Sequence, residues 1–175
     1  MFEIKEICAT KSVLEITDDE QWGWWTQRQE LTNVHKKTEC IPLKFTDKPA
    51  FFRERFNREN IKLFPAYEIY KPILDEYLEL LSDHYEWIDY IAILTKLLPR
   101  SKIRRHRDQG KWLEAVHRIH MPVVTNPDVL FSVGETRINM KRGVFYEINN
   151  VLPHDAVNRS DEDRVHLIID LLPPG

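Results

Sequence analysis

The chain has 175 residues, a length that suits one domain. Hydrophobic residues make up 42% and charged residues 30%, so the chain can bury a sizeable core. A net charge of −3 supplies no basic field and argues against nucleic-acid and membrane-surface partners, while two distant cysteines, Cys8 and Cys40, form neither a CxxC pair nor a disulfide framework and fit a reducing, cytoplasmic setting.

The N-terminus, MFEIKEICATKS, has no apolar run of signal-peptide length. The longest apolar stretches, YIAIL and LIID, are strand-sized and far short of a membrane span. TDDEQWGWWTQRQEL opens with a capping box, Thr17 and Glu20, so a helix is expected there, weakened by Gly23. Its three tryptophans, Trp22, Trp24 and Trp25, read as core packing plus an interface. TECIPLKF reads as a strand with Ile41, Leu43 and Phe45 on one face. KPILDEYLELLSDHYEW places Ile73, Leu74, Tyr77, Leu78, Leu80 and Leu81 at helical spacing, which predicts an amphipathic helix.

The texture changes after residue 87. IDYIAILTKLLP and HRIHMPVVT read as strands, followed by a turn at TNPD. VLFSVG, TRINM, VFYEIN, HDAVN and RVHLIIDLL follow as short β-branched and aromatic segments. The expected fold is therefore mostly β with N-terminal helices, around a jelly-roll or cupin-like core, the double-stranded β-helix. The division expected is a single domain, 1–175, in which a helix-rich part, 1–87, packs on a barrel formed by 88–175 and carrying the site.

HRDQGKWLEAVHRIH holds three of the seven histidines. On an extended segment His106 and Asp108 would point to one face and reach one ion together. His154, in NNVLPHDAVN, completes two imidazoles and one carboxylate. That set leaves coordination positions open, as in non-haem Fe(II) oxygenases. Arg164 opens the last strand, and an arginine facing into a barrel requires an anion. A dicarboxylate cosubstrate would supply one through a bidentate pair; a bridge to Asp161 or Asp163 is the alternative. Arg118 and His120 alternate along HRIHMPVVT, either on a solvated edge or inside the barrel against an anionic cosubstrate, and His117 reads as structural. The basic run RSKIRRHRDQGK reads either as a rim attracting an acidic group or as a solvated loop; it lacks the interleaved aromatics of a nucleic-acid surface.

From about residue 88 to 174 the sequence resembles the aspartyl/asparaginyl β-hydroxylase family of 2-oxoglutarate- and Fe(II)-dependent oxygenases. The motifs that carry the resemblance are LLP ahead of RRHRD, then HRIHMPVVTNP, FSVGET, GVFYEINN, PHDAVNRS and DRVHLIIDLLPP. RQELTNVHKKTECIPL is similar to a segment of bacterial and phage-type relatives. The resemblance implies that His106 and His154 bind iron and that Arg164 pairs with the distal carboxylate of 2-oxoglutarate. It places Arg118, His120 and Thr95 against the cosubstrate. Asp108 is a departure from those members that lack a carboxylate here. Its presence predicts a complete triad, and the competing arrangement turns it onto Arg105 or Arg107. The implied reaction couples decarboxylation of 2-oxoglutarate to succinate with hydroxylation by O2 of a protein side chain or free amino acid. Two other readings remain: a cupin-like metalloenzyme that does not use 2-oxoglutarate, and a non-catalytic binding module on the same fold.

Overall fold

The computed structural model describes residues 1–17, 22–23, 25–26, 29, 33–46 and 58–175. The helix expected from Thr17 onward falls largely outside these residues, as does Trp24. Trp25 is buried and meets Phe45 and Phe64 edge-on, with ring centroids 5.3 and 6.5 Å apart.

The described residues form two sheets. Strands in chain order are β1 (Ile4–Ala9), β2 (Thr38–Thr46), β3 (Ile61–Leu63), β4 (Asp89–Leu97), β5 (Ser101–His106), β6 (His117–Val124), β7 (Val129–Val133), β8 (Thr136–Ile138), β9 (Val144–Ile148), β10 (His154–Asn158) and β11 (Arg164–Leu172). The major sheet runs β1-β9-β6-β11-β4-β2-β3 and the minor sheet β5-β10-β7-β8. Every pairing in them is antiparallel. This is the jelly-roll architecture expected from the spacing of short strands. Among the described residues no helix is long and apolar enough to cross a membrane.

The central strands of the major sheet are buried on both faces, and side-chain alternation sorts their residues between them. Leu167, Ile169 and Leu171 of β11, Ile119 and Met121 of β6 and Leu94 of β4 share one core with helix α1 (Ala66–Ser82). That helix contributes Tyr70, Leu74, Tyr77 and Leu81. It begins earlier than the apolar pattern suggested, because Tyr67 and Tyr70 extend the buried stripe toward the N-terminus. The Tyr77 hydroxyl anchors the N-terminal segment: it accepts the Leu14 N–H at 2.7 Å and donates to the Ser12 carbonyl at 2.8 Å. The opposite face of β11 carries Arg164, His166, Ile168 and Asp170 into the space between the sheets, and each of these is buried. One strand thus serves a hydrophobic core with its odd residues and a polar site with its even ones.

Two sequence expectations change. The first 65 residues supply three strands of the major sheet, so the sheet is not confined to 88–175. β1 escaped notice because an edge strand with one solvated face, interrupted by a register shift between Glu6 and Cys8, shows little apolar alternation. In β2, Ile41 and Leu43 join the core under α1, but Phe45 packs with Trp25 on the other side. A register shift between Pro42 and Lys44 inserts a residue and flips the face.

Candidate metal centre and its pocket

His106 ends β5 and His154 opens β10, and the two strands pair with these residues opposite each other. Their ring centroids lie 4.3 Å apart. Each ring is fixed by a local backbone acceptor. His106 Nδ1 lies 2.7 Å from the Arg104 carbonyl oxygen and His154 Nδ1 2.9 Å from that of Leu152. A carbonyl only accepts, so both Nδ1 atoms carry a proton, which puts the lone pair of the neutral ring on Nε2. Burial, the largest influence, pushes His154 below the ordinary imidazole pKa, with the neighbouring His106 acting in the same direction and Asp108 against it. A neutral ring is the form a metal takes.

Asp108 sits just past the end of β5, so the shared face of a strand is not what brings it in. Its backbone N–H donates to the Asn150 carbonyl at 3.1 Å. Its Oδ1 lies 3.6 Å from His106 Nε2 and 3.7 Å from His154 Nε2. One ligand atom from each of the three residues falls within 4.8 Å of the others. Asp108 Oδ2 is taken by Arg118 Nη1. The arrangement with Arg105 or Arg107 is absent among these contacts. Arg105 donates to Asp155 at 2.9 Å and to the Gly134 carbonyl at 2.7 Å, and Arg107 reaches the Val151 carbonyl at 3.4 Å. Two imidazole nitrogens and one carboxylate oxygen this close together fit a divalent cation such as Fe(II).

The triad lies in a pocket of about 480 Å³ that opens to solvent. Its inner wall holds Thr95, His120, Phe131, Ile168 and Arg164. Arg164 is 1% exposed, and its guanidinium carbon sits 5.9 Å above the centre of the Phe131 ring. The bridge to Asp161 is not made: Arg100 holds that carboxylate with two bonds of 2.7 Å. Arg164 Nη2 instead meets His166 Nδ1 at 2.7 Å, and His120 Nδ1 approaches the same atom at 3.3 Å. A guanidinium only donates, so His166 accepts there and is neutral. Burial, then the charges of Arg164 and His120, hold its pKa well below the ordinary imidazole value.

That neutrality predicts a pH dependence of stability. The unfolded chain protonates this histidine near pH 6.5, while the folded chain resists it. Below about pH 6.5 the unfolded state therefore binds more protons, and stability falls as pH falls; above it this residue contributes no slope. A urea midpoint followed from pH 8 to pH 5 should drop on the acid side. His166→Asn, which keeps an acceptor for Arg164, should flatten the drop. An equal slope in that variant refutes the assignment.

The sequence model of the aspartyl/asparaginyl β-hydroxylase family matches residues 24–174, a span that includes all the pocket residues above. The chain belongs to this family. A search of curated protein sequences returned no match. Among solved structures the chain is similar to an oxidoreductase of the 2OG-Fe(II) oxygenase family from Burkholderia pseudomallei. That likeness has 12% identity and a TM-score of 0.57, and covers 79% of this chain and 69% of the other. A Pseudomonas putida prolyl-4-hydroxylase aligns at 11% identity and TM-score 0.49, over 86% and 83% of the two chains. A cupin domain from Bordetella pertussis aligns at 22% identity and TM-score 0.37, over 48% and 85%. At such identities the first of these shows a common fold.

In this β-hydroxylase family member, His106, Asp108, His154, Arg164, Arg118, His120 and Thr95 all line one pocket. Arg118 lies inside the barrel, one of its two expected placements, and there its three side-chain nitrogens are bonded to Asp108 and Asp170. Thr95 Oγ1 donates a long bond, 3.4 Å, to the His166 carbonyl. His117 lies outside the pocket, where its Nδ1 is 2.7 Å from Glu147. Half of the basic run forms the outer strand β5, where Lys102, Arg104 and Arg105 are exposed. Sequence reasoning passed over His166 and Asp170. The signal was there, in the two-residue period that starts at Arg164.

Proposed function

We propose that this chain is a 2-oxoglutarate- and Fe(II)-dependent hydroxylase acting on a protein side chain or a free amino acid. The observation that carries the reading is the closeness of three candidate ligand atoms in a pocket whose inner wall holds a buried arginine. His106, Asp108 and His154 would hold the iron, and Arg164, His120 and Thr95 would receive the cosubstrate. Bound together, these groups supply the oxidising power that no side chain has: decarboxylation of the keto-acid to succinate, coupled to insertion of one oxygen from O2.

The protein's share is positioning. The Arg104 and Leu152 carbonyls fix a proton on Nδ1 of each ring and orient Nε2 as the ligand atom. Arg164 offers a planar fork suited to a carboxylate. Ile103, Phe131, Ile148 and Ile168 line the walls and keep water from the reacting centre. The outer side, with His35 and Asp155, is left for the substrate.

The test uses the purified chain without oxygen. Adding Fe(II) and then 2-oxoglutarate should produce the weak visible charge-transfer band of the chelate. Metal binding without the band points to a cupin-like metalloenzyme, and no metal binding points to a binding module; either result overturns the proposal.

A further inference from the structure

Arg118 stands between two carboxylates. Its Nε donates to Asp170 Oδ1 at 2.8 Å and its Nη2 to Asp170 Oδ2 at 2.7 Å, a two-pronged pair. Its Nη1 holds Asp108 Oδ2. Asp170 is 1% exposed on the interior face of β11 and also accepts the indole N–H of Trp112 at 3.3 Å. Trp112, likewise 1% exposed, belongs to the short helix α2 (Lys111–Ala115) inside the loop that joins His106 to Arg118. Asn150 closes that loop from the other side. Its amide donates to the Leu113 carbonyl at 2.7 Å, and its carbonyl takes the Asp108 N–H.

We propose that Arg118, clamped by Asp170 and Trp112, is a positioning residue that makes Asp108 a one-oxygen metal ligand. This rests on the iron reading above. The division of labour follows from the contacts: Oδ2 belongs to the protein and Oδ1 faces the two imidazoles. A carboxylate just past a strand end has two free torsions, and an anchor on one oxygen removes that freedom. Charge supports the same role. A lone arginine this close to a divalent cation would repel it. Asp170 neutralises the arginine, so the clamp adds rigidity without adding net positive charge. A fork bonded to Asp170 on one side and Asp108 on the other serves the metal side of the pocket, opposite the end where Arg164, His120 and Thr95 would receive the cosubstrate.

Mn(II) titration of the full chain, followed by calorimetry, tests this apart from turnover. Wild type should bind one ion, and Asp108→Ala should lose most affinity. Arg118→Lys and Asp170→Asn should each weaken binding roughly 10- to 100-fold, the usual effect of disturbing a ligand's supporting partner. Trp112→Phe should cost a few-fold. Asp170→Asn removes one of the two anions that hold a buried cation, so its fold is at risk. Arg118→Met with Asp170→Leu and Trp112→Phe removes the ion pair together with the indole donor that Asp170 accepts, a change that buried ion pairs often tolerate without collapse of the fold. This triple variant and the Arg118→Met/Asp170→Leu double variant should each unfold cooperatively and bind Mn(II) at least tenfold more weakly than wild type. Wild-type affinity in the folded double variant overturns the positioning role while leaving the iron reading intact. A changed KM for 2-oxoglutarate with unchanged Mn(II) affinity also overturns it and returns Arg118 to the cosubstrate. Failure of the wild-type chain to bind any divalent ion defeats the iron reading itself, and this proposal with it.

Discussion

His154→Ala is expected to abolish 2-oxoglutarate turnover and cut Mn(II) affinity by about 10³-fold or more, the equivalent of the several kcal/mol that a lost metal contact represents. The ring is held by the Leu152 carbonyl, and its Nε2 faces Asp108 Oδ1 at 3.7 Å. Alanine removes the donor atom, and no neighbour on β10 can replace it: Asp155 turns to Arg105, and Ala156 has no ligand atom. His106→Ala should behave alike, since its ring is the mirror contributor from the paired strand. The two variants need a control for folding. His154 lies beside a core that includes Val133, Phe131 and Ala156, so circular dichroism and a thermal midpoint belong with the assay. Succinate release at the wild-type rate from a folded His154→Ala chain removes the metal centre from the mechanism.

The site was legible where chemistry depends on residue type at short range. His106, Asp108 and His154 stood out because few residues ligate metals, and their convergence needs only one pairing, β5 with β10. Arg164 stood out as a charge at the head of a mostly apolar strand. What stayed hidden was set by contacts distant in sequence. Arg118 and Asp170 meet across paired strands, β6 against β11, with Asp170 opposite Arg118 in register. A charged pair of this kind is silent in sequence until the register is known. The Phe45 face was misjudged for a related reason, since a bulge leaves no mark in an apolar pattern. The major sheet's use of the N-terminal strands was hidden because edge strands carry charges that guard against aggregation and dilute the apolar signal. The helix α1, by contrast, was plain from its 3.6-residue stripe, which needs no tertiary partner to be seen.

Arg164→Met is expected to raise the KM for 2-oxoglutarate by roughly 10²-fold or more while leaving Mn(II) affinity within a few-fold of wild type. A guanidinium–carboxylate contact consists of two charge-assisted hydrogen bonds, each worth about 1.5–3 kcal/mol, and about 1.4 kcal/mol is tenfold in affinity. The pocket strengthens that contact, because Arg164 is 1% exposed and backed by the Phe131 ring. Lysine should restore only part of the loss. Its ammonium is a point charge and cannot match both oxygens of a carboxylate. It also changes the donor that meets His166 Nδ1, now set by Arg164 Nη2 at 2.7 Å. The candidate metal ligands lie on β5, β10 and the loop after β5, not on β11, so the effect should separate cleanly from metal binding. If Arg164→Met keeps a wild-type KM for 2-oxoglutarate, the arginine does not hold the cosubstrate; if it loses Mn(II) affinity as well, the two ends of the pocket are not independent, and the division between a metal end and an anion end fails.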